Sequence, residues 1–274
     1  HLEYEPADLY KDTDAIPAQV HPLSRTVPGG GRIIMNAADE NQRQLEEQGC
    51  WTPIETFSTA DDTDWTARFG DKVERHIGMR GPGGRAAEAR WKIGGTYNLE
   101  NALAAVAAAA SAGVSLEQAV DSMSRFEGVK RRMERTATVA NIAIYDDFAH
   151  HPTAIAKSIR SMRKRYPGHR IVVAIEPRSN TMKLGVHNEL LADSLRDADL
   201  VWMFRPEGMP DDFEDNLQSL GGKLRLFDDY DRLVNDMSTR VLGGDQVVFM
   251  SNGGFGSARQ TLTALLQRTR GGQS

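Results

Sequence analysis

Cysteine is almost missing from this sequence. Cys50 stands alone among 274 residues, which excludes a disulfide within the chain and a metal site built from several thiolates. We read it as a small packed residue. Long apolar runs are missing too. The longest, Ala102 to Ala110, is too short and too alanine-rich to span a bilayer, so no stable membrane insertion is expected. Positive charge is not in excess: 33 Lys and Arg stand against 38 Asp and Glu, a formal net charge of -5. That balance lacks the electrostatic footprint of a non-specific nucleic-acid binder. Two phosphate-binding glycine signatures are also absent. No G-x-G-x-x-G follows an early strand, which argues against a dinucleotide enzyme, and no G-x-x-x-x-G-K-[ST] loop occurs.

What is present suits two soluble globular domains, with 40% hydrophobic and 26% charged residues. The chain opens on His1-Leu2-Glu3-Tyr4 rather than on methionine and is read as part of a longer protein, so a missing signal peptide carries no weight. A helix is expected from about Thr13 to the Val27–Gly31 turn. A buried strand follows at Arg32–Asn36, then a helix at Asp39–Gln48 with Gly49 as its C-cap, and strands near Thr52–Phe57 and Asp64–Phe69. Gly78 to Glu88, with Gly81, Gly83 and Gly84 and no periodicity, is expected to be a flexible surface loop. The Ala-rich run Asn98–Ala112 predicts a buried, closely packed helix, and Ser115 caps a second one at Leu116–Phe126.

From Val139 onward strand and helix signals alternate cleanly. Strands are expected at Ile142–Tyr145, Arg170–Ile175, Leu200–Phe204, Lys223–Phe227 and Gln246–Met250. Helices fill the gaps at Pro152–Tyr166, His187–Arg196, Tyr230–Leu242 and Ser257–Arg268. This rhythm predicts an α/β fold with an open, mostly parallel sheet covered on both faces. The domain boundary is placed so that residues 1–134 and 135–274 form separate domains.

Ligands bind beyond the carboxyl ends of such strands. Asp146-Asp147-Phe148-Ala149-His150-His151-Pro152 sits there, offering groups for a metal, a ribose or a phosphate, or simply a helix cap. Glu176-Pro177-Arg178-Ser179-Asn180-Thr181 follows another strand, and Arg178 presents a planar fork for a carboxylate or phosphate. Ser251-Asn252-Gly253-Gly254-Phe255-Gly256 follows the last strand and is either an anion-holding turn or a plain chain reversal. Lys130-Arg131-Arg132, near the boundary, is a candidate phosphate gate or a solvated charge run. Asn98 and Asn101 open the Ala-rich helix as amides for a purine edge or as caps.

Those clusters resemble the Mur ligases, within them the branch that adds a ready-made peptide. The resemblance is carried by Gly49–Pro53, Phe126–Glu134, Asp146–Thr153, Ser251–Gly256 and, most specifically, by Glu176-Pro177-Arg178-Ser179-Asn180-Thr181-Met182-Lys183-Leu184-Gly185-Val186-His187. It implies the later part of a central ATP-binding domain followed by a Rossmann-like domain for the incoming amine. It also implies an ATP- and Mg2+-dependent amide ligase in cytoplasmic peptidoglycan recycling. There UDP-N-acetylmuramate, activated as an acyl phosphate, meets the murein tripeptide L-alanyl-γ-D-glutamyl-meso-diaminopimelate.

By the same resemblance Asn98 and Asn101 contact adenine, Arg132 reaches the ATP phosphates as the catalytic arginine, and Asp147 and His150 attend the nucleotide. Arg178, Ser179, Asn180, Ser251, Asn252 and Gly253 line the peptide site. Two departures stand out. Tyr97 replaces a frequent His, and Pro6 replaces a magnesium-ligating His, which leaves the metal ligands unassigned. The rival readings are a catalytically impaired nucleotide- or peptide-binding relative and an amino-acid-adding ligase. Because these 274 residues hold strand–helix alternation but no phosphate-cradling loop, the isolated chain is expected to fold yet remain catalytically silent. Tripeptide-dependent phosphate release by the isolated chain would contradict this.

Overall fold

The computed structural model describes residues 21–40, 42–43, 49–177, 188–209 and 213–271. It divides into two compact units between Glu127 and Gly128, ahead of the boundary expected at 134. Residues 1–20, with Pro6 and the first part of the helix expected from about Thr13, lie outside the described residues, and residues 21–24 of that helix are helical. So does most of the helix expected at Asp39–Gln48.

The first unit is built on a five-stranded sheet in the order β1 (Ile33–Asn36), β2 (Ile54–Ser58), β3 (Trp65–Phe69), β4 (His76–Arg80), β5 (Ala86–Arg90). The first three strands are parallel, and the last two join antiparallel. The surface loop expected at Gly78–Glu88 is instead most of a hairpin. Ile77 and Met79 alternate inward along β4, and the turn is made at Gly83 and Gly84, with φ of 74° and 75°. The partner strand Ala86-Ala87-Glu88-Ala89-Arg90 has no β-branched or aromatic residue, so its pairing is supplied by β4 rather than by its own propensity.

Helix α1 (Thr96–Ser111) packs on this sheet through Leu99, Ala102, Leu103, Val106 and Ala107. That is a stripe at helical spacing rather than burial all round: Asn101, Ala105 and Ala108 are exposed. Its N-cap, Gly95, has no side chain to offer. The buried carboxylate of Glu74 accepts from the Gly95 backbone N–H at 2.6 Å in its place, suiting the positive end of the helix. Helix α2 (Leu116–Met123) starts as expected, with Ser115 Oγ accepting from Gln118 N at 3.2 Å.

The second unit holds a six-stranded sheet, β10 (Leu224–Phe227), β9 (Leu200–Phe204), β8 (Ile171–Ile175), β11 (Gln246–Met250), β7 (Ile142–Asp147), β6 (Glu134–Val139) in spatial order. All pairs are parallel except β6 with β7. Strand β6 was not expected. It is an edge strand with exposed Arg135, Thr136 and Thr138, and it turns into β7 through Ala140 and Asn141 at φ 47° and 60°, without a glycine to mark the bend.

The inner strands are buried on both faces and sort their side chains by the two-residue period. Ala143, Tyr145, Ile171, Val173, Ile175, Val248 and Met250 meet the layer of α3 (Pro152–Arg165), α4 (Asn188–Ser194) and the 3₁₀ segment Asp215–Lys223. Ile142, Ile144, Val172, Ala174, Val247 and Phe249 meet α5 (Tyr230–Arg240) and α6 (Ala258–Arg270).

If the hairpin is structural, Met79→Ala removes a side chain that is only 2% exposed and leaves a cavity. The expected loss is about 2–5 kcal/mol in a urea unfolding titration. A surface loop at this position would cost nothing measurable.

Candidate functional site

Strand β11 lies between β7 and β8, and Met250 is in register with both Asp147 and Ile175. Three neighbouring strands therefore end at one level, and the chain leaves them as Phe148–Pro152, Glu176–Pro177 and Ser251–Ser257. This is the edge of an α/β sheet where ligands collect. A cavity of about 250 Å³ opens there, lined by Lys130, Arg131, Asp146, Ser251, Gly253, Gly254, Phe255 and Arg259, among others.

Successive residues at the end of β7 point to opposite sides of the sheet. Asp147 turns inward and is buried, with Oδ2 accepting from Ser158 Oγ at 2.6 Å and Oδ1 from the Ala149 N–H at 3.3 Å. Asp146 turns the other way, into the cavity, where Arg259 lies 3.3 Å and Arg131 Nε 3.6 Å from its Oδ2. The carboxylate that lines the cavity is Asp146, and strand alternation separates it from Asp147.

Arg131 does not extend into solvent. Its Nη2 donates to the carbonyls of Ser251 at 2.7 Å and Gly253 at 2.6 Å, tying the turn before β6 to the loop after β11. The backbone of Arg131 is left-handed, at φ 59°, as is that of Met133 at φ 51°. Arg132 is exposed. Both guanidinium carbons stand over the Phe148 ring, 5.1 Å and 5.3 Å from its centroid. His150 Nδ1 lies 2.8 Å from the Phe148 carbonyl and its ring meets Phe148 edge-on. His151 serves as the N-cap of α3, with its ring nitrogen accepting from the Thr153 N–H at 3.4 Å. A helix cap was the plain alternative for this cluster, and a histidine rather than an aspartate fills it.

Ser251 is buried, and its Oγ donates to Glu176 Oε2 at 2.6 Å while accepting from the Gly253 N–H at 2.9 Å. Asn252 Oδ1 is buried with no hydrogen-bond partner. Arg178, Ser179 and Asn180 lie outside the described residues. Asn98 and Asn101 belong to the first unit, where Asn98 Nδ2 donates to the Gly94 carbonyl at 2.7 Å and Asn101 is exposed one turn further along α1. Among the described residues no group of three or more His, Cys, Asp and Glu side chains could hold a metal ion. Asp146 and Glu176 stand in the sequence only as members of their clusters, and Arg259 is not marked at all, because a lone arginine on an amphipathic helix carries no local signal.

Residues 131–253 match the family model described as Mur ligase, glutamate ligase domain. The chain is 34% identical over 263 residues to the UDP-N-acetylmuramate–L-alanyl-γ-D-glutamyl-meso-2,6-diaminoheptandioate ligase of Haemophilus influenzae, covering 96% of this chain and 58% of that protein. It is 36% identical over 265 residues to the protein of the same name from Escherichia coli (strain K12), covering 96% and 57%. The crystal structure of a murein peptide ligase from Psychrobacter arcticus 273-4 superposes with a TM-score of 0.71 at 36% identity, over 94% of this chain and 55% of that one. The chain belongs to the Mur ligase family. It spans a little over half the length of these relatives.

Burial holds the Asp147 carboxyl above its ordinary value of 3.8, against the opposing pull of Ser158, the Ala149 N–H and Arg132. An acid whose folded pKa is raised binds its proton more tightly when native. Its contribution to stability is thus complete below about 3.8 and is lost as pH rises through the folded pKa. Asp147→Asn keeps an acceptor for Ala149 and removes that ionisation. The variant is expected to gain stability relative to the wild type as pH rises above about 3.8, the ordinary value of the carboxyl. Denaturant titrations across that range test it, and a stability difference independent of pH would contradict it.

Proposed function

We propose that the protein is an ATP-dependent carboxylate–amine ligase joining UDP-N-acetylmuramate to L-alanyl-γ-D-glutamyl-meso-diaminopimelate. The observation carrying this reading is the alignment of 96% of the chain with two ligases named for that substrate. The second unit, Gly128–Ser274, is assigned as the domain for the incoming peptide, and the first, His1–Glu127, as the later part of the ATP-binding domain. The reaction belongs to peptidoglycan recycling in the cytoplasm. No helix among the described residues is long and apolar enough to cross a membrane.

ATP supplies the phosphoryl group that activates the muramate carboxylate. The chain's own residues orient the reactants. Asn98 spends its amide N–H on the Gly94 carbonyl, which leaves Oδ1 to accept from the exocyclic amine of adenine, with Asn101 one turn along. Arg131 is committed to two loop carbonyls, so the exposed Arg132 is the member of this cationic run that reaches for phosphate oxygens. Asp147 is assigned to the ribose end of the nucleotide, and Asp146, paired with Arg259 and Arg131, lines the cavity beside it. His150, fixed against Phe148, borders the same edge.

Asn252 Oδ1 is an unpaired acceptor suited to an N–H of the peptide. Ser251 and Gly253 hold the loop that carries it. Arg178, Ser179 and Asn180 are assigned to the peptide's carboxylates. No step is assigned to magnesium, since the described residues offer no ligand cluster.

The test is release of ADP and phosphate by the full-length protein in the presence of both UDP-N-acetylmuramate and the tripeptide. Release requiring both supports the ligase. Release with single amino acids in place of the tripeptide would move the protein to the amino-acid-adding branch, and no release would leave a binding protein. Within this reading Arg132→Ala is expected to lower kcat roughly ten- to one-hundred-fold, the worth of a charge-assisted contact. The melting temperature should stay unchanged, because the side chain is exposed. An unaltered kcat would remove Arg132 from the reaction.

A further inference from the structure

We propose that Glu176 is a positioning residue that holds the 251–257 loop in the shape the incoming peptide requires; this rests on the ligase reading above. Glu176 lies just beyond β8, and only 2% of it is exposed. Its Oε2 accepts from Ser251 Oγ at 2.6 Å and its Oε1 from the Tyr230 hydroxyl at 2.5 Å. One carboxylate thus grips two elements. Ser251 is the first residue of the loop, and its Oγ passes the constraint on by accepting from the Gly253 N–H at 2.9 Å.

Tyr230 constrains the other end. Its ring stacks on Phe204, with centroids 3.9 Å apart and planes at 9°, and it meets Phe255 edge-on at 6.0 Å. It also lies so close to Gly256 that a Cβ there would come within 2.4 Å of the ring. Glu176 therefore fixes the start of the loop directly and its end through Tyr230.

The loop needs that hold. Phe255, Gly256 and Ser257 have successive φ values of 48°, 52° and 60°, a left-handed turn that L-residues do not keep without surrounding support. Between the two fixed ends sits Asn252, whose Oδ1 is buried without a partner and so must be placed accurately to accept from a ligand N–H. A buried side-chain acid is suited to this task because a carboxylate accepts from two hydroxyls at once, whereas an amide offers one oxygen. Glu176 does not itself touch the peptide. It sets where Asn252 stands.

The experiment compares full-length wild type with Glu176→Gln, Tyr230→Phe and the double variant. ADP release is measured while ATP, UDP-N-acetylmuramate and the tripeptide are varied in turn. Glu176→Gln is expected to raise the KM for the tripeptide roughly ten-fold, with the KM values of the other two substrates within about two-fold of wild type. Tyr230→Phe keeps the ring and its stacking, so it should raise the same KM by a smaller factor. The double variant should be no worse than Glu176→Gln, because both remove one shared interaction.

An unchanged tripeptide KM in the folded variants overturns the proposal, and so does an equal rise for all three substrates, which marks a merely structural role. If Glu176→Gln fails to fold, Tyr230→Phe decides on the same criteria. A wild type that releases no ADP sinks the ligase reading and the proposal with it. An active wild type with unmoved variants sinks only the role of Glu176.

Discussion

The constraint on which the second unit depends is that its inner strands have no exposed face. Every residue of β8 and β11 is buried, because helices cover the sheet on both sides. Polar side chains cannot be accommodated along such strands without partners, so chemistry is driven past their carboxyl ends. Placing the last strand of the chain between β7 and β8 then makes three of those ends adjacent. Segments far apart in sequence, such as Glu176, Asp147 and Ser251, meet because of strand order alone.

Where the segments meet, their charges are largely satisfied by one another. Arg131 places one nitrogen on two loop carbonyls and stands over the Phe148 ring, and its remaining edge faces Asp146. Asp146 in turn pairs with Arg259 through the same oxygen. In a partly buried edge these pairings matter more for shape than for net stability, since desolvation offsets much of the attraction between opposite charges. What they fix is the path of the 251–257 loop. Its left-handed turn survives because both of its flanks are bonded to the body of the unit.

Much of the architecture was legible because the strongest strands here are also the most apolar. Ile171–Ile175, Leu200–Phe204 and Gln246–Met250 stand out as short aliphatic runs between helical segments, and Ser115 marks the start of α2 by simple capping chemistry. The missed elements share one property: their pairing partner, not their own composition, makes them strands. Strand β6 is an edge with threonines outward, and β5 is nearly all alanine, charge and exposure. At the site, the clusters were visible as polar runs after strands, but their internal geometry was not. Tyr230 joins Glu176 from an amphipathic helix fifty-four residues away, and nothing local in the sequence announces such a contact.

The same division recurs in each of three neighbouring pairs at this edge. Asp147 bonds inward to Ser158 while Asp146 lines the cavity. Arg131 ties two carbonyls while Arg132 is exposed. Ser251 is held by Glu176 while the Asn252 side-chain oxygen is left without a partner. Consecutive residues along a strand face opposite sides, so a site built at strand ends brings an anchoring residue next to one that faces the cavity. That geometry explains why doublets of like residues, Asp146-Asp147 and Arg131-Arg132, occur here, and why residue type alone cannot say which member of a doublet meets the ligand. The anchor is recognisable by its internal hydrogen bonds. Its neighbour is the residue that lines the cavity or faces solvent, as Asp146 and Arg132 do.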